Sequence, residues 1–429
     1  MKILLVKPRW FVRDGHYRFL EGVRFTPLAL GILAALSEGH EVRVVDLDWQ
    51  SLPRDGQFDL VGITATTFTS ERAFKLADWA RGRGARVVMG GVHPSILPGE
   101  CLDHADAVVV GEAEYVWPQV LRDAESGELQ DVYRADRPTD MDDVPMPARH
   151  LLSESRWFTC VQTSRGCPNA CKYCYLPSVP WSRFRKRSLD LVEKEVRSVG
   201  DRLVFFVDDN LFADRDYVMD LCAMMETVDV NWSVQAPTTI GKDEELLDAM
   251  EASGCWHVQV GFQSFNRASL ERAGVHHNRV ENYKSLVDKL HERGILVTGF
   301  FMFGFDTDRP DCFDGTVELI KHIDVDDAKL YILTPYPGTQ MYEKFRREGR
   351  LLPGQRRTRF GWSHAVFEPG NMTPEELERG VQRAYDRLYL HFLKRMPRAA
   401  LTCWRMGMRH PQAIAGMVSG ALRRPHVSR

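Results

Sequence analysis

Short apolar runs alternate with helical patterns through the first part of the chain. The apolar runs are typical of strands buried on both faces, and they occupy residues 2–6, 41–48, 58–64, 85–91 and 105–111. Segments with helical periodicity lie at 26–39 and 70–84. Because strands that alternate with helices form right-handed parallel crossovers, we expect a doubly wound parallel sheet over residues 1–125.

The alternation restarts at residue 156, after a polar, proline-bearing segment at 126–155 that we interpret as a linker. Six further strand patterns run from "WFTCVQTSRG" to "AKLYILTPYPG", with amphipathic helical patterns between them. Six β–α repeats without a clear seventh or eighth favour an open, partial (β/α)6 barrel at 156–340. Residues 341–429 are expected to form a helical C-terminal extension, which completes a chain of the α/β class.

Composition narrows the class of protein. The chain has 429 residues, 44% hydrophobic content and a net charge of −3, which is ordinary for a soluble protein of two or three domains. A nucleic-acid-binding protein would more often carry a strongly basic domain, so we expect no nucleic-acid partner. No apolar run approaches the roughly 18 residues of a membrane span. We therefore expect a cytoplasmic protein without membrane contact.

One loop gathers three cysteines. The stretch "TSRGCPNACKYCYLP" (163–177) places them at Cys167, Cys171 and Cys174. A structural zinc site closes with four ligands, whereas three thiolates leave one position of a metal centre open for chemistry. The loop follows the first strand of the predicted barrel, at the rim where barrel active sites lie. This placement predicts a catalytic metal centre.

The segment "SRGCPNACKYCY" resembles the cluster-binding loop of radical S-adenosylmethionine (SAM) enzymes. The order of domains resembles the subgroup with an amino-terminal cobalamin-binding-type Rossmann domain. The resemblance implies a 4Fe–4S cluster on the three cysteines, with SAM at the open position. SAM cleavage would give a 5′-deoxyadenosyl radical that abstracts hydrogen from a small-molecule substrate. An external one-electron reductant, of flavodoxin or ferredoxin type, would be required.

The resemblance also implies residues that bind SAM. Tyr173 stands where the family places an aromatic residue beside the adenine. Asp208 and Asp209 stand where the methionine amine is held, and carboxylates accept hydrogen bonds from such a cation. An alternative is that one of these acids caps the helix that begins near residue 214.

Three further positions match later strand motifs of the family. Gln263 stands where many relatives carry glutamate, and its amide is able to bind a ribose hydroxyl. Gly304 would permit close approach of adenine, and Pro335 would stiffen the rim loop.

Cobalamin binding stays open on the sequence. Ligands of doubly wound sheets bind beyond the carboxyl ends of the strands, where Thr64, Thr66, Gly90 and Gly91 are the candidate cobalamin contacts. The first loop, however, departs from the D-x-H-x-x-G motif of many cobalamin proteins. It has "DGHYRF" (14–19), with phenylalanine in place of the glycine, and bulky aromatic residues able to fill the space of a corrin.

Two reaction outcomes follow from the resemblance, both in secondary metabolism. With cobalamin, the substrate radical would take a methyl group, which gives C-methylation. Without it, the radical would eliminate a hydroxyl, as in relatives that dehydrate aminoglycoside-like sugar diols. A sensor without turnover would not need the SAM motifs. An RNA methylthiolating enzyme would usually carry a second cysteine cluster and a basic module, and neither is visible.

Overall fold

The computed structural model describes residues 1–10, 25–53, 57–153, 158–200, 203–393, 397–398 and 401. Within these ranges the chain forms two six-stranded parallel sheets, each accompanied by helices, and a two-stranded ribbon. The α/β class predicted from the hydrophobic pattern is confirmed.

The first sheet has the strand order β2-β1-β3-β4-β5-β6, and every neighbouring pair is parallel. Its strands are β1 (Lys2–Lys7), β2 (Glu41–Asp46), β3 (Leu60–Thr64), β4 (Arg86–Gly90), β5 (Ala107–Val110) and β6 (Val132–Arg134). Helices α1 (Leu28–Ala35), α2 (Ser70–Arg81), α3 (Val92–Ile96), α4 (Pro98–Leu102) and α5 (Trp117–Ser126) connect them. Apolar clusters cover both faces of the sheet, as expected for continuous apolar strands.

The segment 126–155 is more than the linker that we expected. Its strand β6 pairs with β5 and extends the first sheet. Only the middle residue of β6, Tyr133, is buried, so the strand is too short and polar to produce a recognisable alternation. The Tyr133 hydroxyl is anchored by the carboxylate of Asp123, at 2.7 Å.

The second sheet has the order β14-β13-β12-β11-β10-β7, again parallel throughout. The strands of this half are β7 (Phe158–Val161), β8 (Ser164–Arg165), β9 (Arg185–Lys186), β10 (Leu203–Phe206), β11 (Trp232–Ala236), β12 (Cys255–Gln263), β13 (Leu296–Phe303) and β14 (Asp327–Ile332). Among the described residues, β7 and β14 do not pair with each other, so the predicted open (β/α)6 barrel is confirmed. The short strands β8 and β9 form the antiparallel ribbon.

Helices cover the outside of the barrel and leave its lumen open. They are α6 (Leu189–Ser198), α7 (Arg215–Val228), α8 (Glu244–Ala252), α9 (Arg267–Arg272), α10 (Tyr283–Glu292), α11 (Cys312–Ile323), α12 (Gln340–Arg347) and α13 (Pro374–Leu393). The burial of β13 and β14 alternates, which leaves Phe300, Met302, Lys329 and Tyr331 half-buried. Since alternate residues of a strand face opposite sides, these side chains line the lumen.

The C-terminal extension packs on the barrel as far as it is described. The hydroxyl of Tyr385 in α13 binds both backbone groups of Leu330 in β14, at 2.7 and 3.1 Å. The predicted tail beyond residue 401 lies outside the described residues. No helix in the described part of the chain is both long and apolar enough to cross a membrane.

Candidate active site

The cysteine loop lies between the strands of the β8–β9 ribbon. Cys167, Cys171 and Cys174 are unoxidised and half-buried. Gly166 has φ +88° just before the first cysteine, and a Cβ there would lie 2.3 Å from the Arg183 carbonyl oxygen. Only glycine fits, because the two sides of the loop pass so closely. The loop is closed by the Cys167 N–H, which donates to the Ser182 carbonyl at 3.1 Å.

Asp208 holds the chain that leads into this loop. Its Oδ1 accepts the Thr163 N–H at 3.0 Å and hydroxyl hydrogen bonds from Thr163 and Ser164 at 3.0 and 2.7 Å, and it also accepts the Ser164 N–H. Burial nevertheless raises the pKa of this carboxyl to about 6, against the lowering effect of those hydrogen bonds. One oxygen of this carboxylate, Oδ1, is thus already engaged by the protein itself.

Asp209 and Asn210 complete the contacts of strand β10 with the loop. Asp209 is exposed and accepts the Gly166 N–H at 2.8 Å through Oδ2, which leaves Oδ1 without a hydrogen bond among the described residues. The Asn210 side chain is buried and donates to the Cys167 sulfur at 3.6 Å. Helix α7 is capped by Asp214, so the alternative that Asp208 or Asp209 caps it is wrong.

The donor set of the loop suits an iron–sulfur cluster. Burial raises the pKa of Cys174 to about 12 and also raises that of Cys171, so adjacent thiolates here require a strong positive charge. Within the described ranges, no three side chains are placed to share a single metal ion. A cubane makes a different demand, because each thiolate binds its own iron.

Buried polar atoms without partners surround the loop. Among the described residues these include Asp208 Oδ2, Asn210 Oδ1 and the indole nitrogen of Trp181. Buried polar groups are normally hydrogen-bonded, so several unpartnered polar atoms in one place indicate a site that binds a polar ligand. The residues present therefore fit a cluster with a polar molecule beside it.

The other predicted SAM residues lie at the rim of the same barrel. Tyr173 packs against the barrel core, and burial raises the pKa of its hydroxyl. Gln263 ends β12 with φ +66°, and its amide nitrogen lies 2.6 Å from where a Cβ on Gly261 would stand. A non-glycine residue in this conformation is strained, which is frequent at functional sites.

Gly304 packs closely against residues of the C-terminal extension. It has φ +102°, and a Cβ there would lie 3.0 Å from Leu377 and 3.1 Å from Phe367. The missing side chain thus makes room for the protein's own packing on that side. Pro335 is buried in the loop that follows β14.

A charge network joins the two sheets beside the cysteine loop. Glu112, in the loop after β5, receives two hydrogen bonds from Arg185 of β9, at 2.9 and 2.6 Å. Glu114 accepts from Arg165 of β8 at 2.6 Å. Burial raises the pKa of Glu112, but the hydrogen bonds and positive charges around it, those of Arg185 and Arg165 among them, together outweigh burial and hold the pKa below its usual value. The carboxyl ends of the two sheets therefore face each other across the cysteine loop.

The predicted cobalamin contacts lie at this shared edge, and the space around them differs from one residue to the next. Thr64 and Gly90 are half-buried, and the nearest atom to a Cβ on Gly90 would be 3.8 Å away. Thr66 is engaged in a reciprocal capping contact with Thr69. Gly91 has φ +102°, and a Cβ there would lie 2.9 Å from Ala65 O and Thr64 Oγ1. Glycine at 91 is thus required by the fold itself.

Aromatic side chains fill part of the space above the first sheet. Trp10 packs between Phe68 and Trp362, with ring centroids 5.5 and 5.6 Å apart, and Trp362 continues to Tyr331 of the barrel. The expectation that the first loop contributes bulky aromatics is met at Trp10. The remainder of that loop, including His16 and Phe19, lies outside the described residues.

Several contacts escaped the sequence analysis. Asn210 ends the "VDDN" motif, and Glu112 and Glu114 belong to the "GEAEY" loop. The sequence therefore indicated where both motifs lie in the fold, but not which residues they contact. His257 and Thr298 form a buried hydrogen bond of 2.9 Å inside the barrel. That pair had no sequence signal, because its members are 41 residues apart.

Two family descriptions match the chain. Residues 161–320 match the radical SAM superfamily, and residues 22–121 match the B12 binding domain. The first covers the cysteine loop and most of the barrel. The second covers the loops after β3, β4 and β5.

Curated relatives span nearly the whole chain. A bacteriochlorophyllide d C-12(1)-methyltransferase from Chlorobaculum tepidum is 30% identical over 404 residues, which are 90% of this chain and 87% of that protein. A cytidylyl-2-hydroxyethylphosphonate methyltransferase from Streptomyces wedmorensis is 23% identical over 82% of this chain and 84% of that protein.

Solved structures share the fold. The methyltransferase TsrM from Kitasatospora setae, solved with cobalamin and a 4Fe–4S cluster, has a TM-score of 0.68 and 18% identity, covering 89% of this chain and 88% of its own. The cobalamin-dependent SAM radical enzyme OxsB has a TM-score of 0.66 and 12% identity, covering 98% of this chain and 78% of its own. With its cysteine loop, its two sheets and its relatives, this chain belongs to the cobalamin-binding radical SAM methyltransferase family.

Proposed function

We propose that the chain methylates a carbon atom of a small metabolite, with cobalamin as the methyl carrier. When bound, the cluster with SAM supplies a 5′-deoxyadenosyl radical and cobalamin supplies the methyl group. One observation carries the proposal: the carboxyl ends of both sheets meet at the cysteine loop, joined there by Glu112–Arg185 and Glu114–Arg165. Methylation is preferred over the dehydration of a sugar diol, because both curated relatives named above are methyltransferases.

We propose a division of labour among the candidate SAM residues. Cys167, Cys171 and Cys174 hold the cluster. Asp209, which is exposed, receives the methionine amine through its free oxygen, whereas Asp208 is buried and positions the loop through the bonds from Thr163 and Ser164 to its Oδ1. Tyr173, Gln263 and Pro335 line the nucleoside part, with Gly304 shaping the rim behind it.

We propose that the edge of the first sheet contacts cobalamin through Thr64, Thr66, Gly90 and Gly91. Gly90 has the most room around it. The charge network beside this edge would exclude water from the space between the two sheets, which protects a radical from side reactions.

The lumen supports a proposal for the chemistry of the substrate. Gln235 and Gln259 form a side-chain hydrogen bond of 3.4 Å, and Phe300 and Met302 lie on the lumen face of the same sheet. Such a wall suits a substrate with an apolar body and a hydrogen-bonding edge. We propose a natural-product precursor of that kind.

We also propose that the chain is divided into a Rossmann-like unit, a radical SAM barrel and a helical extension.

The function is testable before the substrate is identified. The full chain would be reconstituted anaerobically with iron, sulfide and hydroxocobalamin, then given SAM and a chemical reductant. We expect retention of the corrin spectrum through gel filtration, and formation of both S-adenosylhomocysteine and 5′-deoxyadenosine. Replacing any one of the three loop cysteines by alanine should abolish 5′-deoxyadenosine. Formation of 5′-deoxyadenosine that is indifferent to cobalamin, without S-adenosylhomocysteine, would contradict methylation and favour the dehydration.

A further inference from the structure

Exposed positive charge lies directly beside the cysteine loop. Lys172 stands between the second and third cysteines, Arg272 ends α9, and Arg347 ends α12; all three are exposed. They line one cleft of about 670 Å³. We refer to Lys172, Arg272 and Arg347 as the basic face.

The charges of the basic face are not neutralised by the protein. Among the described residues, no carboxylate lies within 4.0 Å of these three side chains, and Arg347 donates to a backbone carbonyl, that of Glu343, at 3.3 Å. Other ionised groups of the cleft are paired: Lys344 with Asp306, and the Glu343 carboxylate with Arg346 at 2.8 Å. The cleft therefore carries a net positive charge that faces solvent.

The basic face is fixed to the cysteine loop through the backbone. The Lys172 N–H donates to the Ala273 carbonyl at 2.9 Å, which ties the loop to the end of α9. The Met341 N–H donates to the Lys172 carbonyl at 2.9 Å, which ties it to the start of α12. A partner seated on this face would be held at a set position relative to the cysteines.

We propose that the basic face is the docking surface of an acidic one-electron carrier of the flavodoxin or ferredoxin type. The inference rests on the proposed function, because it requires the cluster on Cys167, Cys171 and Cys174. The carrier gives up one electron and the cluster gains it, with no bond made or broken. Electron transfer falls steeply with distance, and the face adjoins these cysteines. Opposite charges steer association, and redox encounters need only a small interface.

The test compares two ways of reducing the same protein. The reconstituted full chain would be mixed in a stopped-flow instrument with reduced flavodoxin or with titanium(III) citrate, and bleaching of the cluster absorbance followed. In the double variant Arg272→Glu/Arg347→Glu, reduction by flavodoxin should slow about tenfold or more, in the range of electrostatic steering. Its dissociation constant for flavodoxin should rise, and the salt dependence of the rate should weaken. Reduction by titanium(III) citrate should be unchanged.

The matched control is Arg379→Glu/Arg383→Glu on α13, which makes the same charge change at two exposed positions. Normal flavodoxin rates in this control would support the basic face, whereas an equal loss in both double variants would overturn it as a specific site. Wild-type rates in Arg272→Glu/Arg347→Glu would also overturn it. Failure of the proposed function is distinguishable, because the wild-type chain would then lack 5′-deoxyadenosine or S-adenosylhomocysteine even with titanium(III) citrate, whatever its rate of reduction by flavodoxin.

Discussion

Asn210 donates its side-chain N–H to the sulfur of Cys167 across 3.6 Å, from the residue directly after the two acids that hold the cysteine loop. A hydrogen bond to a cluster thiolate offsets negative charge on sulfur, and the reduced cluster carries more of that charge. Such a bond therefore raises the reduction potential. Asn210 is buried, so no water replaces the donor when it is removed.

We predict that Asn210→Leu lowers the reduction potential of the cluster. A hydrogen bond is worth about 0.5–1.5 kcal/mol, so a bond made mainly in the reduced state would shift a one-electron potential by at most roughly 20–60 mV. Redox titration followed by electron paramagnetic resonance measures the shift. Iron and sulfide content serves as the control and should equal that of the wild type. An unchanged potential in a fully loaded variant would show that the contact does not tune the cluster.

Replacing Asp208 or Asp209 by alanine should impair different properties of the protein. Asp209→Ala should weaken SAM binding by about 1.5–3 kcal/mol, the range for a hydrogen bond to a charged group, with normal iron content. Asp208→Ala should instead reduce cluster retention, because the buried N–H groups of Thr163 and Ser164 lose their acceptor. Equilibrium dialysis with SAM and iron analysis separate the two. Normal SAM binding in Asp209→Ala would remove that residue from the SAM site.

The charge network between the sheets should contribute more to the free energy of unfolding than a surface ion pair does. The Glu112 and Arg185 side chains are 14% and 18% exposed, and removing one partner of a buried pair costs about 3–5 kcal/mol. We expect Glu112→Ala to lower the Tm by several degrees, and Glu112→Ala/Arg185→Ala to lower it by less than the sum of the single changes.

The matched control for this pair is Glu281→Ala, which breaks an ion pair with Arg267 whose members are 52% and 67% exposed. Its loss should cost under about 1 kcal/mol. Additive effects of Glu112→Ala and Arg185→Ala in thermal unfolding would mean that the two residues act independently.

Periodicity was sufficient for the fold because most strands are long enough to display it. The apolar runs of β1 and β5 each predicted a strand that the structure contains. Strand β6 has three residues and one buried side chain, so its pairing depends on β5 and not on its own pattern.

The site was predictable only where chemistry is encoded locally. Three cysteines within eight residues define a metal loop by themselves. The donor from Asn210 to Cys167 and the bonds from Arg185 to Glu112 join residues 43 and 73 positions apart, which no local pattern reveals. Gly304 illustrates the converse, because the need for glycine was predicted but the neighbours that require it were not.

His257 lies inside the barrel, where its Nε2 pairs with the Thr298 hydroxyl at 2.9 Å. Burial lowers the pKa of His257 to about 4 from the usual 6.5, a change opposed by the nearby Asp326 and reinforced by Lys329. The buried His93 of the first sheet is shifted in the same direction, also to about 4, chiefly by burial.

The stability of the protein should therefore fall as the pH drops from 6.5 toward 4. Between pH 6.5 and 4 the unfolded chain binds a proton at His257 that the folded chain does not bind. The contribution of neutral His257 to the free energy of unfolding is therefore fully present above pH 6.5 and is lost progressively as the pH falls toward 4. At about 1.4 kcal/mol per pH unit, His257 accounts for roughly 3 kcal/mol across the window. We predict that His257→Gln flattens the plot of Tm against pH over this range, and that His93→Gln added to it flattens the plot further. The exposed His322→Gln is the control and should leave the slope intact. An unchanged slope in His257→Gln would mean that this histidine is not the group that titrates on unfolding.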